Sequence, residues 1–289
     1  MRILICAITL LVIGPSAAYA AKYEHFKYKT HDGIYRDAYL VLPSRHINKP
    51  LALIISPHGR AVSARNNCKS WGNLPDYGRF AVICPNGYGR KLSLYSWGYR
   101  GQIEDLSKMP SLLRKQYPNL KINSRKVYAF GSSMGGQETL LLLAEYPGEL
   151  AGAVAFDPVT DLILRYKTFP SSPQGNTLLP MMAFEVGGTP DSNPGAFLSR
   201  SPLYYASSLA KFGTPLQLWW SKNDTIVPDQ EDQSGAFFNL LKSYYPKYPL
   251  EEIVGTWPHS NEFNYQRCIP VALMYFNLLT KIPKYDCVT

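Results

Sequence analysis

Short runs of apolar residues alternate along the chain with longer segments in which apolar residues recur at helical spacing. The apolar runs predict buried parallel strands at Leu51–Ser56, Phe80–Cys84, Lys126–Phe130, Gly152–Phe156, Leu216–Trp220 and Glu252–Gly255. The amphipathic segments predict helices at Ile103–Tyr117, Met134–Tyr146, Tyr204–Phe212, Gln230–Tyr245 and Asn264–Leu279. An alternating segment, Tyr35–Leu42, predicts an antiparallel strand ahead of them. This order indicates an α/β fold with a mostly parallel central sheet and helices on both faces.

One long segment breaks this alternation. Asp157–Arg200 is rich in Pro, Gly and Ser, and it is too long for an ordinary connection between neighbouring elements. We interpret it as an irregular insertion, residues 157–200, that lies over the ends of the strands as a lid or pocket wall. A plain surface excursion is the alternative.

The amino terminus has the composition of a secretory signal peptide. Arg2 precedes the apolar run Ile3–Ile13, and small residues follow up to Ala20, which is the order of a charged start, an apolar centre and an A-x-A cleavage site. A membrane span needs about 20 apolar residues, so we expect no stable membrane insertion. The sequence therefore predicts a leader at residues 1–20, one folded domain at 21–289, and a secreted or periplasmic protein.

Composition and charge narrow the class of protein further. The 289-residue chain is 46% hydrophobic and 18% charged, which excludes a disordered or collagen-like chain. Its formal charge is +9, but the basic residues are spread along the sequence, whereas nucleic-acid-binding proteins gather them into a stripe. We therefore expect no nucleic-acid partner, and the sequence leaves the oligomeric state open.

Four cysteines remain once Cys6 leaves with the leader. An even number in an exported chain is typical of disulfides, and four cysteines allow three pairings. Proximity in sequence favours the pairs Cys68–Cys84 and Cys268–Cys287. Free buried thiols are the alternative for either pair. The spacings match no zinc site.

The sharpest motif lies at Gly131–Gly136, directly after the strand-like residues Val127–Phe130 and directly before a predicted helix. G-x-S-x-G in that context is typical of a nucleophile elbow, in which a sharp turn exposes a serine hydroxyl. Only Ser133 has a glycine two residues before it and another two residues after it. We therefore predict Ser133 as the nucleophile.

A serine hydroxyl needs a base and an acid, which follow the nucleophile in this topology. His259 is the one histidine of five that lies after Ser133, so it is the candidate base. Asp224 follows a predicted strand, where catalytic carboxylates lie in open α/β sheets, and we favour it as the acid. Asp157 ends the preceding strand and is the rival, with a turn cap as its other interpretation.

An oxyanion hole needs two backbone N–H donors. One donor is expected from Met134, the residue after the nucleophile, and the other from the loop Ser56–Arg60, which follows an earlier strand. The second donor is Gly59 or Arg60, and the sequence does not decide between them. The Arg60 side chain would either bind a substrate carboxylate or pair within the protein.

Together these residues resemble a known superfamily. The chain is similar to secreted α/β-hydrolases of the serine esterase type, including feruloyl-esterase-like and polyhydroxybutyrate-depolymerase-like enzymes, and to the catalytic domain of prolyl oligopeptidases. The matching elements are His58-Gly59, Gly131–Gly136, Ser201–Ala206, Asp224 with Val227-Pro228, and His259. Two departures matter. Arg60 stands where such an oxyanion loop usually has a second glycine, and too few residues precede Ser133 for the propeller of an oligopeptidase.

The resemblance implies a catalytic α/β-hydrolase domain that cleaves carboxylic esters through an acyl-enzyme. Ser133, Asp224 and His259 would form the triad, and no metal or organic cofactor is implied. The expected substrate is a small or polymer-linked ester. A serine peptidase or acyltransferase with the same machinery, and a catalytically silent binding protein with this fold, are the alternatives.

Overall fold

The molecule is built on an eight-stranded sheet with the order β1-β2-β4-β3-β5-β6-β7-β8. The computed structural model describes residues 21–45, 47–173, 175–264 and 267–287, so the predicted leader lies outside the described residues. The strands are β1 (Lys22–Lys29), β2 (Tyr35–Leu42), β3 (Leu51–Ile55), β4 (Phe80–Pro85), β5 (Ile122–Ser132), β6 (Gly152–Phe156), β7 (Leu216–Ser221) and β8 (Leu250–Gly255).

The sheet is mostly parallel, which confirms the fold predicted from the apolar runs. Pairings from β4 through β8 are parallel, and β2 joins the sheet antiparallel to β4. The first strand, β1, pairs antiparallel with β2 at the edge and was not predicted. Its charged, largely exposed residues are typical of a protected edge strand and carry no buried apolar run.

Helices cover both faces of the sheet. They are α1 (Ala64–Lys69), α2 (Arg100–Ser107), α3 (Met109–Gln116), α4 (Met134–Glu145), α5 (Leu162–Thr168), α6 (Gly175–Val186), α7 (Pro194–Leu198), α8 (Ala206–Phe212), α9 (Ala236–Tyr244) and α10 (Ile269–Tyr275). One turn of π-helix, Glu231–Gly235, leads into α9. No helix in the described part of the chain is long and apolar enough to cross a membrane.

Proline changes the bounds of two of the predicted helices. The single helix expected over Ile103–Tyr117 is divided into α2 and α3, because Pro110 has no N–H and its ring crowds the carbonyl of the preceding turn. The last helix begins only at Ile269, where Pro270 occupies the first turn. Asn277, with a positive φ of 53°, follows its end.

The insertion at residues 157–200 is helical, which corrects the expectation of an irregular segment. It contains α5, α6 and α7, whose apolar side chains pack into a cluster of their own. The Pro and Gly residues that suggested irregular chain lie mainly at helix ends, although Pro180 lies inside α6. Trp97 and Met134 belong to the same apolar cluster, so the insertion packs against the end of the sheet where β5 turns into α4.

The four described cysteines form the two disulfides that proximity in sequence favoured. Cys68 in α1 is bonded to Cys84 in β4, and Cys268 is bonded to Cys287 near the carboxyl end. Each bond closes a short loop and therefore limits the unfolded chain locally. The first bond attaches α1 beside the loop that follows β3.

Candidate active site

Ser133 lies at the turn between β5 and α4 in a strained backbone conformation. Its φ is 60° and its ψ is −127°, a region that residues other than glycine rarely occupy. Close approach of the chain explains both glycines of the motif. A Cβ on Gly131 would stand 2.1 Å from the carbonyl oxygen of Gly135, and one on Gly135 would stand 2.4 Å from that of Pro57.

His259 and Asp224 meet at the same edge of the sheet. His259 lies in the loop after β8 and Asp224 in the loop after β7, and the histidine Nδ1 is 2.6 Å from the aspartate Oδ2. The other carboxylate oxygen of Asp224 accepts hydrogen bonds from the backbone N–H groups of Ile226 and Val227. These bonds hold the carboxylate against Nδ1 and leave Nε2 as the nitrogen available for proton transfer.

The rival acid, Asp157, orients the histidine loop and does not hydrogen-bond to the imidazole. Its Oδ2 lies 4.0 Å from His259 Nδ1, beyond hydrogen-bonding distance. The same oxygen accepts hydrogen bonds from the backbone N–H of Ser260 at 2.8 Å and from the indole N–H of Trp257 at 3.2 Å. The geometry therefore separates two neighbouring carboxylates that the sequence left as competitors.

Charge and burial shift the pKa values of the acidic and basic groups at this edge of the sheet. Burial lowers the pKa of His259, but the hydrogen bond and charge of Asp224, with the charge of Asp157, outweigh it and raise the pKa above its usual value. Burial raises the pKa of Asp157 to about 6. Burial, with the charge of Asp157, also raises the pKa of the neighbouring Glu262 well above the ordinary range.

The atoms of this cluster are engaged with each other in a way that does not suit a metal ion. Ligand atoms of Asp157, Asp224 and His259 lie within 4.8 Å of one another. The histidine nitrogen on that side is bonded to Asp224, and Asp157 accepts three N–H donors. A cation there would have to displace these hydrogen bonds, so the arrangement fits proton transfer better than metal binding.

Ser133 and His259 line one cavity of about 780 Å³ at the carboxyl ends of the strands. The sheet and its loops build the side that carries Ser133, His259 and Ser260. The insertion contributes Arg165, Phe169, Ser172, Pro173 and Leu178 to the lining. The neighbouring serine of the motif, Ser132, donates a hydrogen bond of 2.6 Å to the hydroxyl of Ser260, which joins the elbow to the histidine loop.

The structure brings the predicted oxyanion loop to the elbow. A Cβ added to Gly59 would stand 3.6 Å from Ser133 Cβ, an ordinary contact, so the glycine needed for close approach is Gly135. Met134 begins α4 and is fully buried. Within the loop, His58 is buried and its pKa is lowered by that burial, as expected of a structural histidine.

The Arg60 side chain is paired within the protein. Its Nε donates a 3.0 Å hydrogen bond to the buried carboxylate of Glu185 in α6, and the same oxygen accepts the indole N–H of Trp97 at 2.8 Å. Of its two expected roles, internal pairing is therefore the one that the structure contains. Sequence reasoning missed Glu185 and Arg165, because both lie in the insertion and belong to no motif.

These features define an α/β-hydrolase: a mostly parallel sheet, a strained serine between a strand and a helix, and a hydrogen-bonded Asp–His pair on later loops. The profile of the prolyl oligopeptidase family matches residues 86–251, a stretch that includes Ser133 and Asp224. The chain belongs to the prolyl oligopeptidase family.

Known proteins similar to this chain include peptidases and one esterase. An uncharacterized peptidase of Bacillus subtilis, YtmA, is 28% identical over 189 residues, which cover 64% of this chain and 65% of the relative. The bifunctional acetylxylan esterase/xylanase XynS20E of Neocallimastix patriciarum is 28% identical over 134 residues, covering 45% of this chain and 19% of that enzyme. The matches thus span less than two thirds of either relative.

Solved structures share the fold at low sequence identity. The acylaminoacyl peptidase of Pyrococcus horikoshii superimposes with a TM-score of 0.69 at 16% identity, covering 92% of this chain and 43% of that one. FphF, a fluorophosphonate-binding serine hydrolase of Staphylococcus aureus, superimposes with a TM-score of 0.64 at 17% identity, covering 88% of this chain and 98% of its own.

Proposed function

We propose that this protein is a serine hydrolase that cleaves acyl bonds through a covalent acyl-enzyme on Ser133. One observation carries the proposal: the strained Ser133 elbow and the hydrogen-bonded His259–Asp224 pair open onto the same cavity. A nucleophile, a base and a group that orients the base are the three parts that acyl transfer requires.

In this mechanism the Ser133 Oγ attacks the substrate carbonyl carbon while Nε2 of His259 takes the hydroxyl proton. Asp224 holds Nδ1–H and stabilises the imidazolium ion that forms. The imidazolium then gives its proton to the leaving group, which departs and leaves an acyl ester on Ser133. Water, activated by the neutral His259, attacks this ester, and the acid product leaves with the serine restored.

The tetrahedral intermediate carries a negative oxygen that needs donors in place before the reaction. We assign the first donor to the backbone N–H of Met134, at the positive end of the α4 dipole. We assign the second to the loop beside Ser133, from Gly59 or Arg60. The N–H of the next residue, Ala61, is used elsewhere, since it donates to the carbonyl of Gly89 at 2.8 Å.

Peptide bonds are the substrate class that we favour. The family and the peptidases among the similar proteins support this choice. Carboxylic esters, the preference from sequence alone, become the second candidate, favoured by the similarity to the acetylxylan esterase/xylanase.

A labelling experiment followed by matched substrates tests the proposal. We expect a fluorophosphonate to modify Ser133 in the folded protein, and no adduct would leave a catalytically silent binding protein as the better hypothesis. Peptide anilides and esters with the same acyl group then separate the two substrate classes. Ester turnover with no detectable amide turnover would replace the peptidase by an esterase.

We also propose that the protein is exported. The leader-like composition of residues 1–20 supports this, and so do the two disulfides, since such bonds persist in oxidising compartments. Mass spectrometry of the protein from the periplasm or medium should find a chain that begins at Ala21. An intact Met1 on cytosolic protein would contradict export.

A further inference from the structure

A buried arginine on the insertion side of the cavity has donors without acceptors. Arg165 lies in α5 and lines the cavity with Ser133 and His259. The residue is only 3% exposed. Among the described residues, neither its Nε nor its Nη1 has a hydrogen-bond partner. Its guanidinium carbon lies 4.0 Å from the ring centre of Phe169, a contact that fixes the plane of the group and satisfies no N–H donor.

The charged side chains that line this cavity are basic. None of the described residues that line the cavity is acidic. Its other arginine, Arg60, already binds Glu185, and Lys69 is exposed at the end of α1. Arg165 is therefore the buried cation whose hydrogen-bonding capacity remains unused on this side of the cavity.

Such a group is costly unless something binds to it. An uncompensated buried charge and its unmade hydrogen bonds both destabilise a folded protein. Burial lowers the pKa of Arg165 to about 10, with the charge of Asp224 opposing that change, so the guanidinium stays charged at neutral pH. The fold thus keeps a desolvated cation beside the acyl-transfer groups, and a planar fork of N–H donors matches a carboxylate in two parallel hydrogen bonds.

The guanidinium shares a cavity with the reacting groups, because Arg165, Ser133 and His259 all line it. A substrate group bound there would therefore lie in the same cavity as the scissile bond. Phe169 and Leu178 line the cavity beside the arginine, so the adjoining part of the substrate would be apolar.

We propose that Arg165 is a specificity residue that binds a carboxylate of the substrate close to the scissile bond. The inference rests on the proposed acyl-enzyme chemistry and names the class of acyl substrate: one whose acidic group lies within a residue or so of the bond that is cleaved. That carboxylate has two possible sources, an acidic side chain on the acyl side or a free carboxyl terminus on the leaving side.

Two matched substrate pairs test this in the full folded protein. The first pair is a peptide anilide or ester with Glu or Gln before the scissile bond, and the second is a short peptide with a free or an amidated carboxyl terminus. Within each pair only a carboxylate is exchanged for a carboxamide. We expect the wild type to prefer the carboxylate of one pair by about 10- to 100-fold in kcat/KM, the range for a hydrogen bond to a charged group.

Variants then assign the preference to Arg165. Arg165→Met should bring the carboxylate-to-carboxamide ratio close to one, and Arg165→Lys, which keeps the charge without the fork, should reduce it in part. Arg114→Met is the matched control, because Arg114 lies exposed on α3, and its ratio should equal that of the wild type. Thermal unfolding and fluorophosphonate labelling of Ser133 establish that each variant is folded.

Every outcome is informative. No carboxylate preference in a wild type whose Ser133 is labelled overturns the inference and leaves the hydrolase standing. An equal loss on both members of a pair in Arg165→Met also overturns it, because the arginine would then support the fold or the base alone. If Ser133 is not labelled in the folded wild type, the proposed function itself is contradicted. The wild-type ratio needs no variant, so misfolding of Arg165→Met does not remove the test.

Discussion

On the side of the cavity built by the sheet, the carboxylates of Asp224 and Asp157 accept hydrogen bonds from neighbouring N–H groups. On the side built by the insertion, Arg165 is as deeply buried and has two donors without partners. We call the first the catalytic wall (Ser133 and His259, with Asp224 and Asp157 behind them) and the second the insertion wall (Arg165, Phe169, Leu178). The catalytic wall is complete without a ligand, and the insertion wall is not.

This difference fits the role that we propose for each wall, catalysis for the first and substrate recognition for the second. Acyl transfer needs its groups held in place before the substrate arrives, so full hydrogen bonding on a rigid sheet is an advantage there. Recognition needs groups that remain free until the correct substrate satisfies them, since an unpaired donor then discriminates against the wrong one.

The nucleophile should show the largest effect. Ser133→Ala removes the attacking oxygen, and we expect kcat to fall by about 10⁴-fold or more, as for other serine hydrolases. Ser132→Ala is the matched control, because Ser132 is the adjacent serine and its hydroxyl donates to that of Ser260. It should cost less than about tenfold, the range of one neutral hydrogen bond. Similar losses in both variants would place the nucleophile elsewhere.

The two carboxylates of the catalytic wall should differ by orders of magnitude. Asp224→Asn leaves the shape intact but no longer fixes the Nδ1–H tautomer, and a loss of about 10³- to 10⁴-fold in kcat is expected. Asp157→Asn keeps one acceptor oxygen, either for Ser260 and Trp257 or for Ser221. Because Asp157 does not bond to the imidazole ring, we expect a loss within about tenfold. The measurement is kcat for both variants with one substrate. The reverse order would make Asp157 the catalytic acid.

Asp224 and Arg165, one from each wall, should shift the pKa of His259 in opposite directions. Because only neutral His259 accepts the serine proton, kcat/KM should fall about tenfold for each pH unit below its pKa, and that pKa is raised above the ordinary value of about 6.5. Asp224 helps to raise it and Arg165 lowers it. The apparent pKa should therefore fall in Asp224→Asn and rise in Arg165→Met. A profile that is flat from about pH 5 to 8 would exclude His259 as the base.

Much of the fold was predictable because the signals are local and buried. Strands from β3 onward are apolar runs, and the structure reproduces them to within a few residues. The edge strand β1 was missed, since most of its residues are exposed and several are charged. The predicted helix bounds were wrong at Pro110 and Pro270, where a single proline begins a new helix within a segment of continuous amphipathic pattern.

Some residues of the candidate site could be predicted from the sequence and others could not. The elbow could be found from the glycines that flank Ser133, because the sharp turn excludes side chains there. Asp224 was already favoured over Asp157 by its position after a strand, and the distances of 2.6 Å and 4.0 Å to His259 Nδ1 agree with that preference. Nothing in the sequence pointed to Arg165, because the feature that distinguishes it is structural: two of its buried donors have no hydrogen-bond partner among the described residues.

The smallest effect concerns the contact between the insertion and the oxyanion loop Ser56–Arg60. Glu185 in α6 binds both Arg60, in the oxyanion loop, and Trp97, and it is fully buried. Glu185→Gln removes the charge and one good acceptor, so we expect unfolding to become easier by about 1–3 kcal/mol, seen as a Tm lower by several degrees. Glu104→Gln is the matched control. Glu104 pairs with Lys108 on the surface, and such exposed pairs contribute little.

Kinetics of the same variant separate two roles for the loop. If the N–H of Arg60 is the second oxyanion donor, loosening the loop in Glu185→Gln should lower kcat, because that donor is used only in the transition state. If Gly59 supplies the donor, the loss should appear mainly as a higher KM, because a displaced Arg60 would change only the shape of the cavity. A Tm and kinetics equal to those of Glu104→Gln would contradict both expectations, and the insertion wall would then be held by its apolar cluster alone.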